Sequence, residues 1–209
     1  AMAWTVVASV SIAGDWPGFL GPDRNGISTE TGLLDTFPAT GPKVNWRVAG
    51  GVGMSGLSVA DGRVVTMVES GSRQQVWSLD LSSGKVLWKA DVARSYRNGM
   101  GNGPRATPTI AGDTVVAFTG EGVLVALDAK TGAIRWTRNV VQSLKGQVAD
   151  YGMACSPLVV GQLVIVTPGA PGAAVAAFGL DDGSKVWSAA DGPAGYSSPA
   201  LLKAGGRLQ

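Results

Sequence analysis

The chain alternates short hydrophobic runs with polar, glycine-containing turns. In the clearest example, the mostly hydrophobic stretches 123–127 and 133–136 flank the polar stretch 128–132. This pattern predicts a β-hairpin, because β-branched and aromatic residues favour strands. Asp128 and Thr131 can hydrogen-bond the turn backbone, and Gly132 can adopt the positive φ that a short hairpin loop needs. We therefore expect two strands joined by a tight turn, with Trp136 on the second strand.

The same hairpin recurs on both sides of this stretch. Copies span residues 78–88, 126–136 and 177–187, and each places a tryptophan four residues after a glycine. The glycine and tryptophan pairs are Gly84 and Trp88, Gly132 and Trp136, and Gly183 and Trp187. The tryptophans lie 48 and 51 residues apart, a period typical of propeller blades. A large aromatic residue in the same register of every repeat is expected to pack between neighbouring blades rather than to bind a ligand.

Each repeat predicts a four-stranded antiparallel blade whose last two strands form this hairpin. The predicted inner strands are residues 55–60, 107–111 and 156–160, and the predicted second strands are residues 63–68, 114–119 and 163–167. Residues 42–48 predict an outer strand without inner partners, and residues 197–203 predict the first strand of a fourth blade. The expected fold is an all-β propeller with about three blades plus partial ones. Because a ring of seven or eight such blades needs about 350–400 residues, we expect the 209-residue chain to be a fragment of a larger ring.

The repeated pattern Ala-x-Asp-x-x-Thr-Gly-x-x-x-Trp resembles the tryptophan-docking motif of the pyrroloquinoline-quinone-like (PQQ-like) β-propeller repeat. Residues 126–136 match it at every position, whereas the copy that contains Asp80 has serine in place of both the alanine and the threonine. The third copy has Gly179 for the aspartate and Asp182 for the threonine. The resemblance covers about residues 43–209. It implies a fold shared by quinoprotein alcohol dehydrogenase-like enzymes and by non-enzymatic scaffolds similar to the BamB outer-membrane assembly lipoprotein.

Composition excludes several kinds of chemistry for this chain. A net charge of +2 with 15% charged residues gives no electrostatic case for nucleic acid or for an anionic membrane. The chain contains no histidine, which excludes a Ser-His-Asp triad, a histidine general base and a histidine-ligated zinc. Its single cysteine, Cys155, cannot form an intrachain disulfide and is expected to be a small, buried strand residue.

Two segments precede the repeats. Residues 1–14 are apolar and uncharged, with Ser11 and Ala13 spaced like a cleavage site, which is typical of the end of a secretory signal peptide and predicts export to the periplasm or cell envelope. An ordinary first strand is the alternative, and the segment is too short for a transmembrane span. Residues 15–42 are rich in proline and glycine and predict a cap or loop. We expect Trp16 to anchor this segment and Arg24 to act as a tether, with a ligand-facing Arg24 as the alternative.

The strand order places the longest loops on one face of the propeller. Residues 94–105 and 140–151 form these loops, whereas the opposite face has tight turns such as residues 111–113. Long loops on a rigid scaffold commonly carry binding residues. The candidates, which can receive a carboxylate, phosphate or quinone oxygen, are Arg94, Tyr96, Arg97, Arg105, Lys145 and Tyr151. A purely solvated loop is the alternative.

Two function classes remain open. A quinone-dependent dehydrogenase similar to the enzymes of the family would need an aspartate base, carboxylate and amide ligands for Ca²⁺ and, in many members, a vicinal cysteine pair. Asp150, Glu121 and Asn102 are available, but the cysteine pair is absent. We therefore expect an exported, non-catalytic scaffold that binds a protein partner or small ligand and needs no cofactor. The alternative is a dehydrogenase that uses PQQ and Ca²⁺, with its site largely in the part of the ring that this chain does not supply.

Overall fold

The computed structural model describes residues 14–208, so the segment interpreted as a signal peptide lies, apart from Gly14, outside the described residues. The chain forms three four-stranded antiparallel sheets and a two-stranded one, with a single short helix in the described range. Nothing in that range is a helix long and apolar enough to cross a membrane. The prediction of an all-β propeller with three blades plus a partial one is confirmed.

Each sheet is one blade whose strands follow in sequence order from the inner to the outer edge. Blade 1 contains β1 (Ser58–Ala60), β2 (Arg63–Ser70), β3 (Arg73–Asp80) and β4 (Val86–Arg94). Blade 2 contains β5 (Thr109–Ala111), β6 (Thr114–Phe118), β7 (Val123–Asp128) and β8 (Ile134–Asn139), followed by α1 (Val140–Ser143). Blade 3 contains β9 (Leu158–Val160), β10 (Leu163–Val166), β11 (Val175–Gly179) and β12 (Lys185–Ala189). The partial blade is the pair β13 (Lys203–Ala204) and β14 (Arg207–Leu208).

Hydrophobic seams between adjacent blades form the core. Between blades 1 and 2, Val65 and Val76 meet Val125 and Leu127, and all four are fully buried. The seam between blades 2 and 3 is built in the same way, with fully buried side chains that include Phe118, Leu124, Val164 and Cys155. The predicted burial of Cys155 is confirmed, and that burial raises the pKa of its thiol.

Each motif tryptophan packs on the turn of the following repeat. The indole N–H of Trp88 donates to the carbonyl of Ala129 at 2.9 Å, and its ring covers Gly132. Trp136 repeats these contacts with Leu180, at 2.7 Å, and with Gly183. Both rings are 8% exposed, which confirms that they pack between blades.

Trp187 differs from the other two motif tryptophans. It is 38% exposed, so the expectation that it packs in a seam is not met within the described residues. The sequence after Trp187 contains no fourth copy of the glycine turn. Since each tryptophan packs on the next turn along the chain, Trp187 has no such turn to cover here.

The motif aspartates organise the hairpin turns. Asp128 Oδ1 accepts the backbone N–H groups of Lys130 and Thr131 at 3.1 and 2.9 Å, and the Thr131 hydroxyl at 2.9 Å. Its second oxygen accepts an N–H of the Arg135 guanidinium at 2.8 Å.

In blade 1 the Ser82 and Ser83 hydroxyls take the place of Thr131 and donate to Asp80 at 2.6 Å. The turn chemistry predicted for this motif is thus confirmed.

The third turn keeps its acid in a different place. Gly179 occupies the aspartate position and has no side chain to offer the turn. Asp182, three residues later, accepts the backbone N–H of Ser184 at 2.9 Å and the Ser184 hydroxyl at 2.8 Å. A carboxylate therefore caps all three turns, although the sequence motif is degenerate in the last one.

These turns predict a loss of stability in acid that depends on the motif carboxylates. Hydrogen bonds from Ser82 and Ser83 lower the pKa of Asp80 from 3.8 to about 2, and those from Arg135 and Thr131 lower the pKa of Asp128. A carboxyl group with a lowered pKa in the folded state stabilises that state above its unfolded pKa, and the contribution is lost as the pH falls through the folded pKa. We expect the thermal midpoint to fall between about pH 4 and about pH 2.

The test compares the chain with its Asp128→Asn variant by circular dichroism between pH 7 and pH 2. The variant should melt at a lower temperature at neutral pH, and the difference from the parent chain should narrow as the pH falls. If the melting temperatures of the two chains differ by the same amount at every pH, the Asp128 carboxylate does not contribute to the pH dependence of stability.

Two segments that were predicted to be strands, residues 42–48 and 197–203, differ from that prediction in the structure. Residues 42–48 form no strand, although the Trp46 indole donates to the Leu81 carbonyl at 2.9 Å and its ring covers Gly84. The hydrophobic pattern of this segment is right for an outer strand, but within the described residues it has no third strand to pair with. Residues 197–202 also form no strand, and pairing in the partial blade begins at Lys203.

Candidate functional site

The longest loops share one face of the propeller, as predicted. The connections between blades, residues 95–108 and 144–157, lie on the same side as the turns between the second and third strands of each blade. The opposite face carries the short turns, including those that receive Trp88 and Trp136. We call these the long-looped face and the tight-turn face.

A buried glutamate holds the first long loop. Glu69, at the end of β2, is 4% exposed. Its carboxylate accepts the backbone N–H of Tyr96 at 2.9 Å and pairs with the Arg97 guanidinium. A buried carboxylate needs both charge and hydrogen-bond partners. Arg97 supplies the charge, while its side chain stays 60% exposed.

Arg105 joins the two long loops. Its guanidinium donates to the carbonyls of Gly101 and Gly103 at 2.7 and 2.5 Å and to the carbonyl of Tyr151. It also lies over the Tyr96 ring, 4.7 Å from the ring centroid, where a cation–π contact forms. Arg105, Tyr96 and Tyr151 are therefore brought together, as internal braces of the face.

The Tyr96 ring fills the space between neighbouring loops. A Cβ on Gly120 or on Gly152 would lie only 2.9 Å from ring atoms of Tyr96, so both positions need glycine for this close approach. Beside the ring, the Asn98 amide donates to the Asp150 carbonyl at 2.7 Å. The two long loops are thus packed against each other.

An aromatic pair stands out from this braced surface. Tyr151 and Tyr196 stack with ring centroids 5.6 Å apart, and they are 49% and 47% exposed. Tyr196 also lines a groove of about 670 Å³ whose walls include Lys145, Asp150 and Asp191. We call this the loop groove. Lys145 is exposed at its edge, where its ammonium can contact a bound partner.

The remaining candidates lie outside this arrangement or support it. The carbonyl of Arg94, not its exposed side chain, accepts the amide of the fully buried Gln74 at 2.9 Å. The same amide donates to Glu121 at 2.5 Å, and the Asn102 side-chain oxygen accepts the backbone N–H of Asn98 at 3.1 Å. Glu121 and Asn102, the possible Ca²⁺ ligands, are therefore acceptors within the loops.

Residues 16–24, here called the strap, cross the inner strands of all three blades. Trp16 exchanges two backbone hydrogen bonds with Val59 of β1, at 2.7 and 2.8 Å, and the Pro17 carbonyl accepts the N–H of Ile110 of β5 at 2.7 Å.

Arg24 attaches the end of the strap to blade 3. Its guanidinium donates to the carbonyls of Ser156 and Pro157 at 2.9 and 2.8 Å. The interpretation of Arg24 as a tether is confirmed. Burial lowers the pKa of Arg24, yet a guanidinium remains charged at neutral pH.

The strap divides the space between the inner strands into two cavities. The larger, about 530 Å³, lies between the strap and the starts of the inner strands on the long-looped face, and we call it the central cleft. The smaller, about 250 Å³, lies on the other side of the strap. Tyr196 lines both the central cleft and the loop groove.

Hydroxyl groups link the inner strands around the central cleft. The backbone N–H of Gly56 donates to the Thr107 hydroxyl at 3.2 Å, that of Thr107 to Ser156 at 3.0 Å, and that of Ser156 to Ser198 at 2.9 Å. We call Thr107, Ser156 and Ser198 the hydroxyl arc. Each member precedes a proline, so the recurring Ser/Thr-Pro dipeptide was the sequence signal for this feature.

Comparison with known proteins agrees with this architecture. Residues 72–208 match the family described as outer membrane protein assembly factor BamB. Quinohemoprotein alcohol dehydrogenase ADH IIB of Pseudomonas putida is 32% identical over 134 residues, which cover 61% of this chain and 18% of that protein. The crystal structure of quinohemoprotein alcohol dehydrogenase from Comamonas testosteroni matches with a TM-score of 0.55 and 22% identity, over 83% of this chain and 26% of that chain.

These matches concern the repeated blades. The chain spans 18% of the length of the curated relative, so the comparison covers part of a propeller and not a whole enzyme. The family match includes the third and fourth strands of blade 1, all of blades 2 and 3, and the partial blade. Together with the tryptophan packing between blades, this match shows that the chain belongs to the PQQ-like β-propeller family described as outer membrane protein assembly factor BamB.

Proposed function

We propose that this chain contributes to an exported, non-catalytic scaffold that binds a protein partner through its long-looped face. The observation that carries the proposal is the exposed Tyr151–Tyr196 stack beside the loop groove. Tyrosine is enriched at the centres of protein interfaces, because it offers a large contact area and a hydroxyl at low conformational cost.

The bracing of the face supports partner binding. Arg97 pairs with Glu69, and Arg105 donates three hydrogen bonds to loop carbonyls, which fixes the loops before a partner arrives. A surface that is ordered in advance loses less entropy on association. The family description, an outer-membrane assembly factor, suggests a component of outer-membrane assembly as the partner and the cell envelope as the location.

A PQQ-dependent dehydrogenase is the second candidate, favoured by the 32% identical quinohemoprotein relative. Among the described residues, no three His, Cys, Asp or Glu side chains converge on a point that could hold a metal ion. Glu121 already accepts the Gln74 amide, and Asn102 accepts the backbone N–H of Asn98. We therefore derive no reaction step from them.

Site-specific photocrosslinking tests the scaffold. A benzoylphenylalanine at Tyr151 should crosslink in intact cells to a component of the outer-membrane assembly machinery, identified by mass spectrometry. The matched control is the same residue at Gln162, which is exposed on the tight-turn face. Equal yields from both positions, or no product from Tyr151, would contradict a partner on the long-looped face.

The dehydrogenase alternative has its own readout. The purified protein would be assayed for dye-linked oxidation of alcohols and sugars with added PQQ and Ca²⁺. We expect no turnover that depends on the quinone. Quinone-dependent turnover that is abolished by Asp150→Asn or Glu121→Gln would make the dehydrogenase the better assignment.

A further inference from the structure

The hydroxyl arc leaves hydrogen-bond donors unused beside the central cleft. Thr107 and Ser156 are 5% and 2% exposed, and their oxygens accept backbone N–H groups. A hydroxyl also has one proton to donate. Among the hydrogen bonds described for residues 14–206, none has a hydroxyl of the arc as its donor. By contrast, two other hydroxyls of the inner strands, those of Ser58 and Thr109, donate to proline carbonyls at 2.5 and 2.6 Å. The arc therefore offers O–H groups to an acceptor in the cleft.

The charge of the central cleft is positive. Arg105 lines it, and its lining contains no aspartate or glutamate. Three of the five N–H donors of a guanidinium are used on carbonyls, and the ion pairs described for residues 14–206 do not include Arg105. The cavity on the other side of the strap is lined by Arg24 and likewise by no acidic residue. A cleft with one sign of charge attracts the opposite sign, so the central cleft favours an anion.

The rest of the lining is mostly apolar. Met54 and Leu57 are 56% and 58% exposed at the cleft, and Tyr196 is 47% exposed. Trp16 and Phe19 of the strap also line it. A volume of about 530 Å³ is in the range of small-molecule sites, which combine apolar walls with a few placed polar groups. The ligand should therefore pair an anionic group with an apolar body.

We propose that the central cleft binds a carboxylate attached to an apolar body, presented by a small free acid or by the C-terminal end of a polypeptide. The carboxylate accepts hydrogen bonds from the hydroxyl arc and from the remaining N–H groups of Arg105. The apolar body of the ligand packs against Leu57, Met54 and the strap. Charge-assisted bonds of this kind are about twice as strong as neutral ones. The proposal goes beyond the scaffold function, because it depends on the central cleft and not on a protein partner at the loop groove.

Calorimetric titration of the 209-residue chain tests this site. N-acetyl-leucine should bind at least about tenfold more tightly than N-acetyl-leucinamide, which has the same body but no charge, and its affinity should fall as salt is added. An acetylated tripeptide ending in leucine, with and without a C-terminal amide, distinguishes the source. If the tripeptide acid binds as well as N-acetyl-leucine, the site accepts a chain end, and if only N-acetyl-leucine binds, the site takes a free acid.

Two substitutions of Leu57 test whether the charge of the central cleft matters for binding. Leu57 is exposed enough to accept a polar group without loss of fold. Leu57→Glu and Leu57→Gln lose the same apolar contact and differ only in charge, so Leu57→Glu should bind N-acetyl-leucine about tenfold or more weakly than Leu57→Gln. Far-ultraviolet circular dichroism checks that both variants fold. The proposal is overturned if acid and amide bind equally, if the two variants bind alike, or if the folded parent chain binds none of the probes.

Discussion

Replacing Gly132 by alanine is expected to destabilise the chain by roughly 2–5 kcal/mol, from two independent causes. Gly132 has a φ of +75°, a conformation that side chains with a Cβ adopt only with strain. An added Cβ would also lie 2.6 Å from atoms of the Trp88 ring. The ring is wedged between blades and hydrogen-bonded to Ala129, so it cannot withdraw without opening the seam.

Gly62→Ala separates the two causes. Gly62 has a similar φ of +68°, but an added Cβ would meet nothing within 4 Å. This variant should lose only the backbone contribution, about 1 kcal/mol. Urea unfolding followed by circular dichroism measures both free energies of unfolding. If the two variants lose the same amount, the contact with Trp88 does not limit this position.

The blade architecture was predictable because it rests on local patterns repeated at a fixed spacing. The hairpin at residues 126–136 can be identified from its alternating residues and its turn chemistry, and the glycine and tryptophan register then locates the other copies. The sequence does not indicate that each tryptophan packs on the next turn rather than on its own. That contact joins Trp136 to Gly183 across the chain, and nothing in the intervening residues encodes it locally.

The candidate site was harder to predict for a physical reason. Arg97 and Arg105 have the right residue type for an anion site, and their positions in long loops were predicted correctly. Their partners are a buried carboxylate and three backbone carbonyls. Carbonyls are present at every residue, so no sequence pattern distinguishes those that accept a guanidinium. Glu69 was overlooked because it ends an ordinary strand pattern and its burial arises only when residues 95–108 fold over it.

The contacts of the strap were also only partly predictable from the sequence. Its prolines and glycines predict a loop, and Trp16 and Arg24 were expected to attach it to the propeller. The backbone pairing of Trp16 with Val59 depends on the free inner edge of β1, which exists only once blade 1 has folded. Similarly, residues 42–48 have the alternation of a strand, but strand formation needs a hydrogen-bonding neighbour, and the described residues supply none.

Trp136→Ala should reduce the free energy of unfolding by about 3–5 kcal/mol, the range for large aromatic residues deleted from a core. Trp136 is 8% exposed in the seam between blades 2 and 3, and its indole N–H donates to the Leu180 carbonyl at 2.7 Å. Deleting the ring leaves a cavity above Gly183 and a buried carbonyl without its donor. Trp136→Phe should lose less, because it keeps most of the apolar contact and removes only the hydrogen bond.

Trp187→Ala is the matched control, because Trp187 occupies the same motif position at the edge of the last complete blade. It is 38% exposed and covers no following turn, so its removal should reduce the free energy of unfolding by less than about 1 kcal/mol. Urea titration of the three variants, with a common slope as evidence of the same transition, gives the comparison. Equal losses for Trp136→Ala and Trp187→Ala would mean that the tryptophans stabilise their own hairpins, and that the packing of each ring on the following blade contributes little.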